Sequence, residues 1–113
     1  MRIWYRVRDL DASRAFYRDL LGFTEMFVDA NERWATLDRG ETEIAIGEAA
    51  EESGADAEGQ VATIDVEDVK AERARLESAG VEVGTVLELH GAMRLLDVFD
   101  PDGNRLQLTE DVS

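Results

Sequence analysis

Apolar and polar residues alternate with a period of two in several short stretches of the chain, which predicts β-strands. The predicted strands are residues 1–8, 24–30, 32–39, 42–48, 60–66, 81–88, 93–99 and 104–109. Two longer stretches, 10–21 and 68–79, have the apolar spacing of helices that bury one face. The pattern therefore predicts an α+β protein.

Both predicted helices carry local start and stop signals. Each has an aspartate that can cap the first turn, an apolar stripe, and a glycine where a left-handed C-terminal cap is expected. In the first helix these are Asp9 or Asp11, the stripe Ala12, Phe16 and Leu20, and Gly22. In the second they are Asp68, the stripe Val69, Leu76 and Ala79, and Gly80.

The two halves of the chain repeat one plan. The sequence "VRDL" at 7–10 corresponds to "VEDV" at 66–69, an offset of 59 residues, and "EIAIGE" at 43–48 corresponds to "RLQLTE" at 105–110, an offset of 62. Each half reproduces the order strand, helix, strand, strand, strand, which indicates an internal duplication. The duplication predicts one domain, 1–113, made of module 1–48, an acidic linker 49–59 and module 60–113.

Two tandem βαβββ modules predict a curved, half-open mixed sheet around a cleft, with the helices outside. Alternation along the strands assigns the side chains that would face this cleft. They are Arg2, Trp4, Arg6, Glu43, Ala45, Gly47, Val61, Thr63, Asp65, Arg105, Gln107 and Thr109. The alternative is that these are the solvent-facing positions of a half-buried antiparallel sheet.

The charge balance is strongly acidic. Aspartate and glutamate number 26 against 12 lysines and arginines, giving a net charge of −14, and Lys70 is the single lysine. Such a charge repels phosphate backbones and anionic lipids, so neither nucleic acids nor membranes are expected partners. It also favours a salt-adapted, halophilic protein, since concentrated salt screens self-repulsion; the alternative is an ordinary acidic cytosolic protein.

The sequence lacks the residues that several kinds of functional site require. The chain has no cysteine, so disulfides and thiolate metal sites are excluded. The first residues form no apolar run, which predicts neither a signal peptide nor a membrane span and makes a cytoplasmic location the expectation. No nucleophile with a neighbouring base stands out and there is no phosphate-binding glycine loop, so the sequence identifies no catalytic residue.

Three segments together resemble a known family. "VRDLDASRAFYRDLLGF" at 7–23, "VEDVKAERARLESAGV" at 66–81 and "DVFDPDGNRLQL" at 97–108 are similar to the vicinal oxygen chelate superfamily. That group contains glyoxalase I, bleomycin-resistance proteins and extradiol dioxygenases. The resemblance implies paired βαβββ modules around a cleft, and a homodimer.

The resemblance also implies where a metal would bind. Enzymes of the family hold one divalent ion with histidine and glutamate at four strand positions, which here are Arg2, Ala45, Val61 and Gln107. Alanine and valine have no lone pair to donate, arginine stays protonated, and one amide oxygen cannot hold the ion against water. We therefore expect neither a metal nor another cofactor, and the only histidine, His90, does not change this expectation.

The leading functional hypothesis is a metal-free protein that binds a small, anionic molecule in the cleft. Arg2 and Arg6 would hold the anionic group, Trp4 would form a flat apolar wall, and Gln107 would orient the ligand. The predicted pocket comprises Arg2, Trp4, Arg6, Ala45, Val61, Thr63, His90 and Gln107. Arg2 could instead pair with a surface acid, and His90 could be a surface residue and not an acid/base group on the rim.

Two other function classes stay open at this point. One is a glyoxalase- or dioxygenase-type enzyme, a lyase or oxidoreductase, with an atypical metal site. The other is a non-catalytic interaction protein. Trp34 is similarly open between a cleft floor and ordinary core packing.

Overall fold

The computed structural model of the chain describes residues 2–48 and 61–112, with the side chain of residue 2 outside this description. The predicted acidic linker, 49–59, lies outside the described residues. The chain divides into two compact units, 1–62 and 63–113. The prediction that both modules form a single domain stays a prediction.

The first unit is a four-stranded mixed sheet with a helix on one side. Its strands are β1 (Arg2–Arg6), β2 (Thr24–Asp29), β3 (Trp34–Arg39) and β4 (Thr42–Gly47), in the order β1-β4-β3-β2. β1 runs parallel to β4, and the other neighbours are antiparallel. The helix α1 (Leu10–Ala15) continues as a π-helical turn (Phe16–Leu20), which ends in the left-handed Gly22 (φ 72°).

The second unit repeats this arrangement. Its elements are β5 (Ala62–Asp65, of which 63–65 lie in this unit), α2 (Val69–Ser78), β6 (Glu82–Val83), β7 (Leu87–Leu89), β8 (Met93–Phe99) and β9 (Arg105–Asp111). The strand order is β5-β9-β8-β6, and β7 also pairs with β8. As in the first unit, the first strand lies beside the last, so the predicted α+β fold with two βαβββ modules is confirmed.

The prediction of one continuous strand at 81–88 is wrong, because a bulge divides it into β6 and β7. Val83 lies opposite Val98, while Leu87 lies opposite Leu95. Four steps along this segment therefore match three steps along β8, which leaves one residue extra. Gly84 begins the irregular stretch and donates its amide hydrogen to the Asp97 carbonyl at 2.9 Å.

The predicted helix starts are confirmed. Asp9 caps α1 by accepting from the Ala12 amide at 3.2 Å, and Asp68 caps α2 by accepting from the Ala71 amide at 3.0 Å. These bonds satisfy amides that have no partner inside the helix. Gly80, which follows α2, has a φ of 85° and so takes the predicted left-handed conformation.

Both predicted apolar stripes need correction. Ala12 is exposed, and the buried residues of the first helical segment are Leu10, Ser13, Phe16 and Tyr17. The buried residues Leu10, Ser13 and Tyr17 are spaced three and four apart, and Ala12 lies off this stripe. In the π-helical turn, which has more residues per turn than an α-helix, a 3.6-residue period assigns Leu20 to the buried face, although it is only half-buried. Ala79 is exposed because α2 ends at Ser78, one residue before it.

Each unit buries the apolar face that its helix covers. In the first unit, Tyr17 is completely buried and lies edge-on to Phe23, with ring centroids 5.7 Å apart. Side chains of the central strands complete this core, and they are Ala35, Leu37, Ile44 and Ile46. In the second unit the equivalent residues are Leu76, Leu96, Leu106 and Leu108, all fully buried.

The turn between β8 and β9 is built around a buried carboxylate. Asp100 is 4% exposed, and its Oδ1 accepts from the amides of Asp102 at 2.9 Å and Asn104 at 2.8 Å. Its Oδ2 accepts from Asn104 Nδ2 at 2.9 Å. Gly103 occupies the left-handed position (φ 83°), so the "DPDGN" sequence supplies every special residue that this turn requires.

Among the described residues, neither helix has the length and apolar character needed to cross a bilayer.

Candidate functional site

Three large aromatic side chains form a cluster on the first sheet, which we call the aromatic cluster: Trp4 on β1, Phe27 on β2 and Trp34 on β3. The ring centroids of Trp4 and Trp34 lie 5.7 Å apart, and those of Phe27 and Trp34 lie 5.1 Å apart. Both pairs are tilted, at 43° and 46°. These separations are those of favourable aromatic contacts.

The register places the aromatic cluster on the side of the sheet opposite the apolar core. Trp4 lies opposite Ala45, Ala45 opposite Thr36, and Thr36 opposite Phe27, so this row shares one face. The core residues of the same strands alternate with this row and face the helix. The residues between the rings are small and buried, and Ala45 is completely so.

The aromatic rings are only partly covered. Phe27 is 51% exposed, and Trp4 and Trp34 are half-buried. A half-covered set of rings over small residues is the kind of surface that receives the flat part of a small molecule. The chain has two tryptophans, Trp4 and Trp34, and both lie in this cluster.

The next row of the same face carries charge. Arg6 lies opposite Gly47, Gly47 opposite Trp34, and Trp34 opposite Asp29. Arg6 is exposed. On this side the aromatic cluster is therefore bordered by one cationic and one anionic side chain, and the row on its other side carries Glu43 and Asp38, which lie opposite each other.

Two glutamates on the helix side of the first unit are held by arginines. Arg14 and then Arg18 hold the pKa of the Glu25 carboxyl below its ordinary value through hydrogen bonds and charge. Arg33 does the same for the pKa of Glu48, and the Leu10 amide adds to the effect. Both carboxylates therefore stay ionised at neutral pH and act as structural anions.

The positions that the family uses for metal ligands do not fit a metal here. Ala45 has no donor atom, and β1 begins at Arg2, opposite Glu43. In the chain segment before β5, Val61 has no donor atom either. On β9, the Gln107 amide nitrogen donates to Asp97 Oδ1 at 3.3 Å. Among residues 2–48 and 61–112, no group of three or more His, Asp or Glu side chains is placed to hold an ion.

The remaining predicted pocket residues lie in the second unit. Thr63 is exposed on β5. His90 is exposed at a tight turn between β7 and β8, with φ values of 52° for His90 and 69° for Gly91, as in a type I′ hairpin. The structure thus brings Trp4, Arg6 and Ala45 together in the first unit, and the predicted cleft with Thr63, His90 and Gln107 stays a prediction.

Sequence reasoning did not identify Phe27 as a site residue, and it left Trp34 undecided. Strict alternation would place Phe27 on the same face as Glu25, towards the helix. A bulge between these two residues shifts the register, so that Glu25 lies opposite Leu37 while Phe27 lies opposite Thr36. The bulge turns the Phe27 side chain to the other face.

The second unit contains a separate open groove of about 710 Å³. Its lining comes from the ends of β5 and β9 and the start of β8, and it consists of Asp65, Val66, Glu67, Ala92, Met93, Thr109 and Asp111. Asp65 is oriented there by the Thr109 hydroxyl, which donates to Oδ1 at 2.7 Å.

Known structures share this fold over nearly the whole chain. An integron cassette protein from the mobile metagenome of the Halifax Harbour sewage outfall is 25% identical, with a TM-score of 0.77, covering 97% of this chain and 96% of that one. A lactoylglutathione lyase from Agrobacterium tumefaciens is 24% identical, with a TM-score of 0.75, covering 97% and 91%. At this identity the lyase shows the fold alone.

A third solved structure is a bleomycin-binding protein from bleomycin-producing Streptomyces verticillus, complexed with copper(II)-bleomycin. It is 25% identical, with a TM-score of 0.69, covering 97% of this chain and 93% of that one. A search of curated proteins gave no match. The sequence profile of one family matches residues 2–108. The chain therefore belongs to the Glyoxalase/Bleomycin resistance protein/Dioxygenase superfamily.

Proposed function

We propose that this protein binds a small molecule with a flat, conjugated group on the aromatic cluster, and that it does so without a metal ion. The observation that carries the proposal is the cluster itself, in which Trp4, Phe27 and Trp34 lie together on the sheet face away from the core. Stacking on such rings contributes beyond the burial of apolar area.

The geometry of the floor supports a flat ligand. Thr36 and Ala45 are short and buried, so the rings project past the floor between them. A planar group can contact the exposed side of Phe27 and the tryptophan faces together. The rings already contact one another without a ligand, so little ordering is needed on binding.

Donor chemistry supports binding without a metal. The family's ligand positions carry Arg2, Ala45, Val61 and Gln107, and this set cannot replace the water shell of a divalent ion. Stripping the protein with a chelator is therefore expected to leave ligand affinity unchanged.

The charge beside the cluster supports a ligand with an anionic substituent. Arg6 lies in the same row as Trp34, with Gly47 between them, and two residues from Trp4 along β1. A guanidinium binds carboxylate or phosphate through two parallel hydrogen bonds. Arg2 remains the second predicted contact for this group. Replacing Arg6 with Ala should weaken an anionic probe more than a neutral analogue of the same shape.

Tryptophan fluorescence provides a direct test, because both tryptophans of the chain lie in the cluster. The first probe is bleomycin with and without copper(II), since a protein of the same superfamily binds the copper complex. Flat aromatic acids and their neutral amides form the second set, and calorimetry checks each affinity independently.

The expected result is quenching by at least one planar probe, together with a loss of affinity in Trp34→Ala. Leu87→Ala in the second unit is the matched control, because Leu87 is also a large, exposed apolar residue (55%). An unchanged affinity in Trp34→Ala would exclude the cluster as the site. A wild-type protein that binds none of the probes would contradict the proposal itself.

A further inference from the structure

In both units, a glutamate near the end of the last strand accepts a hydrogen bond from the first amide of the helix. Glu48 follows β4 and accepts from the amide of Leu10, the first residue of α1, at 2.7 Å. Glu110 on β9 accepts from the amide of Val69, the first residue of α2, at 2.9 Å. The two glutamates occupy equivalent places in the duplicated sequence, offset by 62 residues.

Each glutamate also holds an arginine. Glu110 Oε2 lies 3.3 Å from Arg94 Nη1, and the two residues are directly opposite in the β8–β9 register. Glu48 binds Arg33 at two points, with Oε2 2.9 Å from Nη2 and Oε1 3.3 Å from Nε. Both glutamates thus connect the end of their unit's last strand to the helix start and to an arginine, which lies on β8 in the second unit and just before β3 in the first.

In the first unit this arrangement fixes the backbone just before the aromatic cluster. Arg33 has a φ of 59°, a left-handed conformation that costs energy in any residue with a β-carbon. Its carbonyl accepts from the Glu48 amide at 3.0 Å, so Glu48 holds both the backbone and the side chain of Arg33. The next residue is Trp34, the member of the cluster that contacts both other rings.

We propose that Glu48 and Arg33 are positioning residues that set the orientation of Trp34 for ligand binding. This inference rests on the proposed function of the aromatic cluster. In the second unit, the residue after Arg94 is Leu95, so the same arrangement there orients no aromatic ring. The duplication therefore supplies a natural control for the role of Glu48.

The first experiment compares Glu48→Gln with Glu110→Gln. Each change removes the negative charge that faces an arginine and keeps an oxygen that can accept from the helix amide. Both variants should lower the thermal midpoint, because both lose a charge-assisted contact. Only Glu48→Gln should alter the near-ultraviolet circular dichroism of the coupled tryptophans, whose rings lie 5.7 Å apart, and this measurement needs no ligand.

The same two variants are then titrated with the best planar probe found for the wild type. Glu48→Gln should bind it about tenfold more weakly, the cost of ordering one freed side chain on binding, while Glu110→Gln should bind it normally. Equal changes in the two variants, or wild-type dichroism and affinity in Glu48→Gln, would overturn the assignment.

Arg33→Gly separates positioning from stability. Glycine adopts a φ of 59° without strain, so the turn itself should not be weakened, yet the contact with Glu48 is lost. The expected result is altered tryptophan dichroism with a thermal midpoint lowered less than in Glu48→Gln, because relief of the left-handed strain offsets part of the lost contact. Wild-type dichroism would contradict the inference. A wild-type protein that binds no probe would contradict the proposed function. The dichroism of the variants would still decide whether Glu48 and Arg33 position Trp34.

Discussion

Ala45 lies directly opposite Trp4 in the register between β1 and β4, and it is completely buried. The family resemblance predicts that this position carries a metal ligand in related enzymes. In this chain the same position carries a small side chain beside the aromatic rings. A histidine or glutamate at this position would occupy the space next to Trp4. The alanine therefore both lacks a metal-binding atom and leaves room beside the aromatic cluster.

The first prediction concerns Ala45→Leu. The added atoms have to fit between Trp4 and Thr36, so we expect a loss of about 1–3 kcal/mol in the free energy of unfolding. The tryptophan dichroism should change and planar probes should bind more weakly. Urea unfolding and the fluorescence titration measure the two effects, and Ala45→Ser is the small control. Wild-type stability and affinity in Ala45→Leu would contradict the prediction, because they would show that the leucine side chain does not crowd Trp4.

The second prediction concerns the β8–β9 turn. Asp100→Ala removes the acceptor for two backbone amides and for the Asn104 side chain. We expect a loss of about 1–3 kcal/mol, since donors that are left without a partner in a part-buried turn are costly. Asp100→Asn keeps one acceptor oxygen, so its stability should lie between those of the wild type and Asp100→Ala. Chemical denaturation tests the order, and an Ala variant as stable as the wild type would contradict it.

The third prediction concerns acid stability and Glu25. Its pKa is lowered from 4.5 in the folded chain, chiefly by the hydrogen bond from Arg14. A lowered folded-state pKa means that this stabilisation is present above the unfolded value and is lost as the pH falls through the folded one. Glu25→Gln should therefore be less stable than the wild type at pH 7, by about 1 kcal/mol.

The difference between Glu25→Gln and the wild type should shrink towards zero in acid. Urea unfolding between pH 7 and pH 3 measures it. Glu32→Gln changes the same charge on an exposed residue and is the control for net charge. A difference for Glu25→Gln that stays constant with pH would show that the contact with Arg14 does not depend on its ionisation.

The modular plan could be predicted from sequence because its signals are local. Asp9 and Asp68 start the helices through bonds that span three residues, and Gly80 ends the second helix through its own φ. The apolar alternation of the central strands needs no knowledge of distant residues. These features therefore hold in the structure as the sequence predicts them.

The aromatic cluster could be predicted only in part, because register shifts are not visible in the pattern. The bulge after Glu25 moves Phe27 to the cluster face, and the bulge after Val83 divides one predicted strand into two. Each shift is determined by pairing with another strand and not by the residues of its own segment. Trp4 was predicted as a pocket residue because β1 is regular.

The fourth prediction concerns the homodimer that the family resemblance implies. Leu87 and Leu89 lie on the short strand β7, are 55% and 41% exposed, and are among the large exposed apolar residues of the described chain. Exposed apolar side chains on a strand favour association. Light scattering should give the mass of two chains, and Leu87→Glu with Leu89→Glu should reduce it. A wild-type monomer would contradict the prediction.

The fifth prediction concerns salt. With 26 acidic residues against 12 basic ones, the folded chain concentrates a net charge of −14 on a small surface. Mutual repulsion opposes this compact state, and at 1 M salt the screening length is only about 3 Å. The melting temperature should therefore rise steeply between dilute buffer and molar KCl. Sucrose at the same osmolarity is the control, because it stabilises by exclusion without screening charge. A melting temperature that is as high in dilute buffer as in KCl would show that the acidic surface is not an adaptation to salt.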